Sequence, residues 1–144
     1  MCSCTFIGHH TAPKSIKSDL TSCIINLIEN QNVTTFYFGT HGKFDFMVED
    51  ILTELKQIYP LIKHYKVLAY LPKKDNYKNY ANTIYPDLEN VPLKYAIIER
   101  NKWMINKCDY LICYVTNTMT NAYNFLDFAR KKNKNIINLS NILP

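Results

Sequence analysis

The chain has 144 residues, 47% of them hydrophobic and 20% charged, which suits one domain with an ordinary core and excludes a disordered chain. Net charge is +5 with a pI near 8.9, which permits an anionic partner without naming one. No apolar run approaches the roughly 20 residues of a membrane span, and no basic flank with a long apolar region opens the chain, so a soluble cytoplasmic protein without a membrane partner is expected. Five cysteines, an odd number, include Cys23, Cys108 and Cys113 in apolar runs where a reduced thiol packs as a small hydrophobe.

In chain order, a short strand at about residues 4–7 breaks at Gly8-His9-His10. A helix follows in which Ile16, Leu20, Cys23, Ile24, Leu27 and Ile28 share one face. Asn30-Gln31-Asn32 stops it before a strand at about 34–38, and Gly39-Thr40-His41-Gly42-Lys43 forms a loop. The next helix is predicted over 44–59, with Phe44, Val48, Ile51, Leu55 and Ile58 inward and Pro60 closing it. A third strand at 65–71 leads into a polar stretch from Pro72 to Asp87, rich in Tyr and Asn. Asn90-Val91-Pro92 reads as a helix start, and the helix runs to about Lys107 with Ile97, Ile98, Met104, Ile105 and Cys108 at helical spacing. Asn101 falls inside that apolar stripe and Arg100 at its edge, positions that demand partners for polar groups. A buried strand at 110–115, a helix over about 121–132 and a last strand at 135–139 complete the chain.

Strands alternating with helices imply an α/β fold: a Rossmann-like, doubly wound, mostly parallel sheet of about five strands with helices on both faces. Ligands of such sheets bind beyond the strand C-termini where the strand order reverses. The chain has only three glycines, Gly8, Gly39 and Gly42, and all stand in those strand-end loops. After the 110–115 strand, Thr116-Asn117-Thr118-Met119-Thr120-Asn121 opens a helix with hydroxyls and amides, a place suited to an anion. Lys73, Lys74 and Lys78 form a basic cluster in the long loop, whereas Arg130-Lys131-Lys132-Asn133-Lys134 fits the cationic end of a helix and carries no interleaved aromatics, so nucleic acid is not the expected partner. His9, His10 and His41 with Asp45 show no spacing of a zinc site, Cys2-x-Cys4 lacks a second pair, and no motif calls for a cofactor.

As a set, Phe6-Ile7-Gly8-His9, the run from Phe36 to Asp45, Leu68-Ala69-Tyr70-Leu71-Pro72, Leu88-Glu89-Asn90-Val91-Pro92 and the run from Ala96 to Met104 resemble the short, Rossmann-like SLOG proteins, related to the LOG phosphoribohydrolases and the SMF/DprA proteins. The resemblance covers nearly the whole chain. It implies strand-end loops that hold nucleotides or nucleotide-derived signals, often in a dimer, and site residues at Gly8, His9, His10, Gly39, Thr40, His41, Gly42, Asp45, Leu71, Pro72, Lys73, Arg100, Asn101, Thr116, Asn117, Thr118, Thr120 and Asn121. In the hydrolase branch an Arg matching Arg100 works with a Glu just after a glycine-rich phosphate loop. This chain has His10 where the family usually has Arg, no glycine in residues 116–121, and Ala122, Tyr123 and Asn124 where the Glu would stand.

These departures move the expectation from enzyme toward binder of a nucleotide-derived molecule, as sensor or sponge, with an ADP-ribose-like or cyclic-nucleotide defence signal as a specific form. The alternative is a LOG-like nucleoside-monophosphate N-glycosidase with Asp45 or Glu99 as the acid. A weaker one is single-stranded nucleic-acid binding by analogy with DprA. Tyr59, Ile62, Tyr85, Trp103 and Tyr123 exceed what the core stripes need and are expected in part at a homodimer surface. Asn101 has an equally plain structural reading, tying strand-end loops together, and the aromatics Tyr77, Tyr80 and Tyr85 either stack on a base or pack as a flap.

Overall fold

The computed structural model describes residues 2–71 and 82–140. The strands are β1 (Cys2–Gly8), β2 (Val33–Phe38), β3 (Lys63–Val67), β4 (Thr83–Ile84), β5 (Tyr110–Tyr114) and β6 (Asn135–Asn138). The helices are α1 (Lys17–Asn30), α2 (Gly42–Ile58), α3 (Ala96–Lys107) and α4 (Asn121–Lys131). All six strands form one parallel sheet in the order β4-β3-β2-β1-β5-β6. β1 is central and pairs with both β2 and β5, so the order reverses there.

Alternation along the strands sorts the core into two layers. Cys4 and Phe6 of β1, Phe36 and Phe38 of β2 and Ile112 of β5 face α1 and α2, against Leu20, Ile24, Leu27, Phe44, Val48, Ile51, Leu52 and Leu55. Ile7, Tyr37, Leu111 and Cys113 face the other way, against Met104 and Ile105 of α3 and Ala122, Phe125, Leu126 and Ala129 of α4. Thr5 is the buried polar residue of β1, and its hydroxyl donates to the Tyr37 carbonyl at 2.9 Å. All five cysteines carry free thiols.

Several boundaries differ from expectation for local reasons. The sixth strand, β4, is a two-residue edge element too short to leave a periodic pattern. β3 ends at Val67, although the Leu68 amide still donates to the Ile84 carbonyl at 2.8 Å. α2 begins at Gly42 because the Asp45 carboxylate turns back and accepts the His41 amide at 2.9 Å. α3 is preceded by a 3-10 turn, Leu93–Tyr95, after Pro92. Ile58, expected inward, is 67% exposed at the end of α2, while Met47 and Leu52 take buried positions and Ile62 fills the same core beyond the turn. Ile62 is therefore core, not dimer surface. Trp103 is half-buried with its ring edge-on to Tyr37 at 5.9 Å. Among the described residues no helix is long and apolar enough to cross a membrane.

Candidate functional site

At the switch point the C-terminal ends of β1 and β5 lie side by side, with Gly8 opposite Tyr114. The loops that leave them are tied together by His9. Its Nε2 accepts from the Thr116 backbone amide at 3.0 Å and lies 3.2 Å from the Thr116 hydroxyl, while its ring stands edge-on to Tyr114. An accepting Nε2 places the ring proton on Nδ1. Burial, and then the neighbouring His10, hold the His9 pKa below its ordinary value, consistent with this neutral form.

These loops, with α3 and the start of α4, enclose a cavity of about 480 Å³. Its lining includes apolar residues, Ile97 and Ile98 of α3 and Phe125 and Ala122 of α4, and polar ones, His9, His10, His41, Asp45, Arg100 and Asn101 together with Thr116, Asn117, Thr120 and Asn121.

Arg100 is 1% exposed, and its donors are largely spent on the protein. Nε donates to Asn101 Oδ1 at 2.7 Å, and Nη1 donates to the Val67 carbonyl at 3.0 Å and to Thr40 Oγ1 at 3.2 Å. The Thr40 hydroxyl lies 2.9 Å from His41 Nδ1, so a donor chain runs from Arg100 through Thr40 to a His41 that accepts at Nδ1. Burial first, then the charge of Arg100, then His10, lower the His41 pKa, and the ring is neutral. Asp45 is pushed up to about 6 by burial, against the opposing pull of the His41 amide and the Arg100 charge. Asn101 accepts from the adjacent Arg100 through Oδ1 and also lines the cavity; no bond from it to a strand-end loop is observed among the described residues.

Residues 117–120 fold on themselves. Asn117 Oδ1 accepts from the Met119 amide at 2.8 Å, Thr120 Oγ1 donates to the Asn117 carbonyl at 3.0 Å, and Thr120 Oγ1 caps α4 by accepting from the Tyr123 amide at 3.3 Å. The amides of Asn121 and Ala122, in the first turn of α4, have no helical acceptor, and both residues line the cavity.

The three glycines serve packing first. A Cβ on Gly8 would meet the Phe44 ring at 2.5 Å; on Gly39, Asp45 Oδ2 at 2.8 Å and Arg100 Cζ at 3.0 Å; on Gly42, whose φ is +89°, the His10 ring at 2.8 Å. Gly8 borders the cavity, whereas Gly39, Thr40, Gly42, Thr118 and the 54%-exposed Leu71 do not line it. Pro72 and Lys73, like Lys74, Lys78, Tyr77 and Tyr80, fall outside the described residues. Glu99 is absent from the cavity wall and lies 4.0 Å from Lys102. Lys131 pairs with Asp127 at 3.0 Å, and Lys132 sits over the Phe128 ring. Ile97, Ile98 and Phe125 were not foreseen as site residues; their helical spacing reads equally as core. Among the described residues no group of three His, Cys, Asp or Glu side chains could hold a metal ion.

Sheet order and cavity position define a Rossmann-like α/β protein with its cleft at the switch point. No protein-family model and no curated protein matches the sequence. Among solved structures, DNA processing protein A (DprA) from Streptococcus pneumoniae superposes with a TM-score of 0.70 at 14% identity, over 96% of this chain and 50% of that one. The chain spans about half the length of that neighbour, and the likeness establishes a DprA-like Rossmann fold.

Proposed function

We propose that this chain binds a nucleotide-derived small molecule at the switch-point cavity without transforming it, as a sensor or a sequestering protein. The observation that carries the reading is the cavity itself. A volume of about 480 Å³ lies within the roughly 300–1,000 Å³ usual for small-ligand sites, and its lining combines the apolar and polar groups that a nucleotide requires. Ile97, Ile98 and Phe125 offer an apolar surface to a base, while Thr116 and the first amides of α4 offer neutral donors to a phosphate oxygen. The SLOG-like motifs point the same way, and with them comes the expectation of a cytoplasmic homodimer.

The second reading, an N-glycosidase, is favoured by one observation: Asp45 borders the cavity with its pKa pushed up to about 6, the range of a general acid. Its carboxylate already holds the His41 amide, so the binder reading is preferred. Nucleic-acid binding draws on fold likeness alone, and fold does not carry function.

Incubating the purified chain with nucleoside mono- and diphosphates, cyclic nucleotides and ADP-ribose, then denaturing and analysing the released material by mass spectrometry, tests the assignment. A binder returns its ligand intact. Free base and ribose phosphate would make it a glycosidase, and no retention of any probe at millimolar concentration would remove the nucleotide reading.

A further inference from the structure

The charged groups around this cavity are unusually balanced for a phosphate site. Among the described residues its wall holds no lysine, and its one guanidinium, Arg100, is matched by the Asp45 carboxylate. The Gly39 backbone passes between that pair, close enough that a Cβ there would meet both groups. Nε and Nη1 of the guanidinium are held by Asn101, Val67 and Thr40, and Nη2 lies 3.5 Å from His41 Nδ1. Two of the imidazoles are committed as acceptors: His9 toward Thr116, and His41 toward Thr40. Each is neutral while it accepts; protonation of His9 at Nε2 would break the bond that ties the loop after β1 to the loop after β5, whereas the His41 contact with Thr40 lies within one loop. What remains for an anion is a set of neutral donors: the Thr116 hydroxyl, the amides of Asn117 and Asn121, and the first turn of α4 with about half a positive charge, the Thr120 proton being spent on the Asn117 carbonyl.

Such a set can satisfy a singly charged phosphorus group. It has no counterpart for a second full charge, and the nearby Asp45 carboxylate repels one. Resting on the reading that the cavity takes a nucleotide, we infer that its ligand class is a phosphodiester carrying a single charge, and that terminal phosphate monoesters, which carry two, are discriminated against. A cyclic nucleoside monophosphate has this chemistry; a nucleoside 5′-monophosphate does not. The distinction is electrostatic, so it must depend on pH through the ligand's own second ionisation near 6.

The test uses matched pairs: the 5′-monophosphates of adenosine, guanosine, cytidine and uridine, and the methyl diester of each. Dissociation constants are measured by calorimetry on the full chain at pH 7.5 and 5.5. For the base the cavity accepts, the diester should bind at least about tenfold more tightly at pH 7.5, because an additional uncompensated charge in a partly desolvated cleft costs that much or more. The ratio should fall toward unity at pH 5.5, where the monoester also carries one charge.

His10 is exposed and borders the cavity, so His10→Arg adds a permanent cation without disturbing the core and should close the gap at pH 7.5. Asp45→Asn should do the same by removing the opposing charge; circular dichroism shows whether it folds, and His10→Arg decides the matter if it does not. A monoester binding as tightly as its diester at pH 7.5 would overturn the inference while leaving the cavity reading intact. So would a diester preference unchanged at pH 5.5, which would trace it to the methyl group rather than to charge. Failure of all eight compounds to bind would overturn the inference together with the nucleotide reading.

Discussion

Truncating Arg100 separates a structural guanidinium from a ligand-binding one. If Arg100 is a ligand-binding residue, Arg100→Ala weakens ligand binding with the fold retained; its burial and its bonds to the protein predict a loss of stability instead. The change would leave the Val67 carbonyl, Thr40 Oγ1 and Asn101 Oδ1 without their donor and Asp45 without its neighbouring opposite charge, in a site where Arg100 is 1% exposed. Unsatisfied buried acceptors cost about 1–3 kcal/mol each, and water entering the vacated space recovers part of this. Breaking a buried charge arrangement by removing one partner typically costs about 3–5 kcal/mol, and that is the expected loss here. Against a usual total of roughly 5–15 kcal/mol, the variant should show a clearly lowered urea midpoint with the slope unchanged. Arg100→Lys keeps the charge but cannot reach three acceptors as a planar fork, so it should recover less than half of the loss. If Arg100→Ala unfolded within about 1 kcal/mol of the parent while ligand affinity vanished, Arg100 would be a ligand group and the packing argument would be wrong.

Asp45→Asn should behave in the opposite sense. The folded pKa of about 6 lies above the ordinary 3.8, so the favourable contribution of protonated Asp45 is full below about pH 3.8 and is lost as pH rises through 6. Asn imitates the protonated form; the variant should be more stable than the parent by up to about 3 kcal/mol at pH 8 and indistinguishable from it at pH 4 by urea unfolding, and a destabilised variant at pH 8 would show that the Arg100 charge depends on Asp45. Gly39→Val must push Asp45 and Arg100 apart, and a loss of several kcal/mol is expected in thermal unfolding whether or not ligand is present; a loss of affinity alone would return Gly39 to the binding surface. Thr120→Ala removes the cap of α4 and should cost roughly 0.5–2 kcal/mol, with increased amide hydrogen exchange confined to the first turn of that helix.

The fold was legible because its signals are redundant. α1 and α2 carry stripes that survive an error of a residue at either end, and β5, Tyr110–Tyr114, is too apolar and short to be other than a buried strand. What escaped was what periodicity cannot encode. β4 has two residues and exists only because β3 offers an edge to pair with. The start of α2 is set by a carboxylate four residues on, and that bond links chain positions no propensity scale relates. In α3 the same stripe that signals burial also lines the cavity, since Ile97 and Ile98 face it while Met104 and Ile105 enter the core.

The glycines show why the site was read less well than the fold. Scarcity made their placement at strand ends look functional, because a backbone without Cβ can approach a phosphate. The same feature also lets side chains of the protein approach that backbone, and here they do: Phe44 covers Gly8, Asp45 and Arg100 flank Gly39, and His10 lies against Gly42. Each contact joins an element near the switch point to the next, so the glycines determine where Arg100, His41 and Asp45 stand. Arg100 follows the same logic. An arginine inside an apolar stripe demands partners, and the sequence could not reveal that Val67, Thr40 and Asn101 supply them, 33, 60 and one residue away respectively. On the proposed reading, the cavity's affinity for an anion comes from Thr116 and the start of α4, the part of the chain where hydroxyls and amides replace glycine, and selectivity between singly and doubly charged phosphates is the property that replacement would produce.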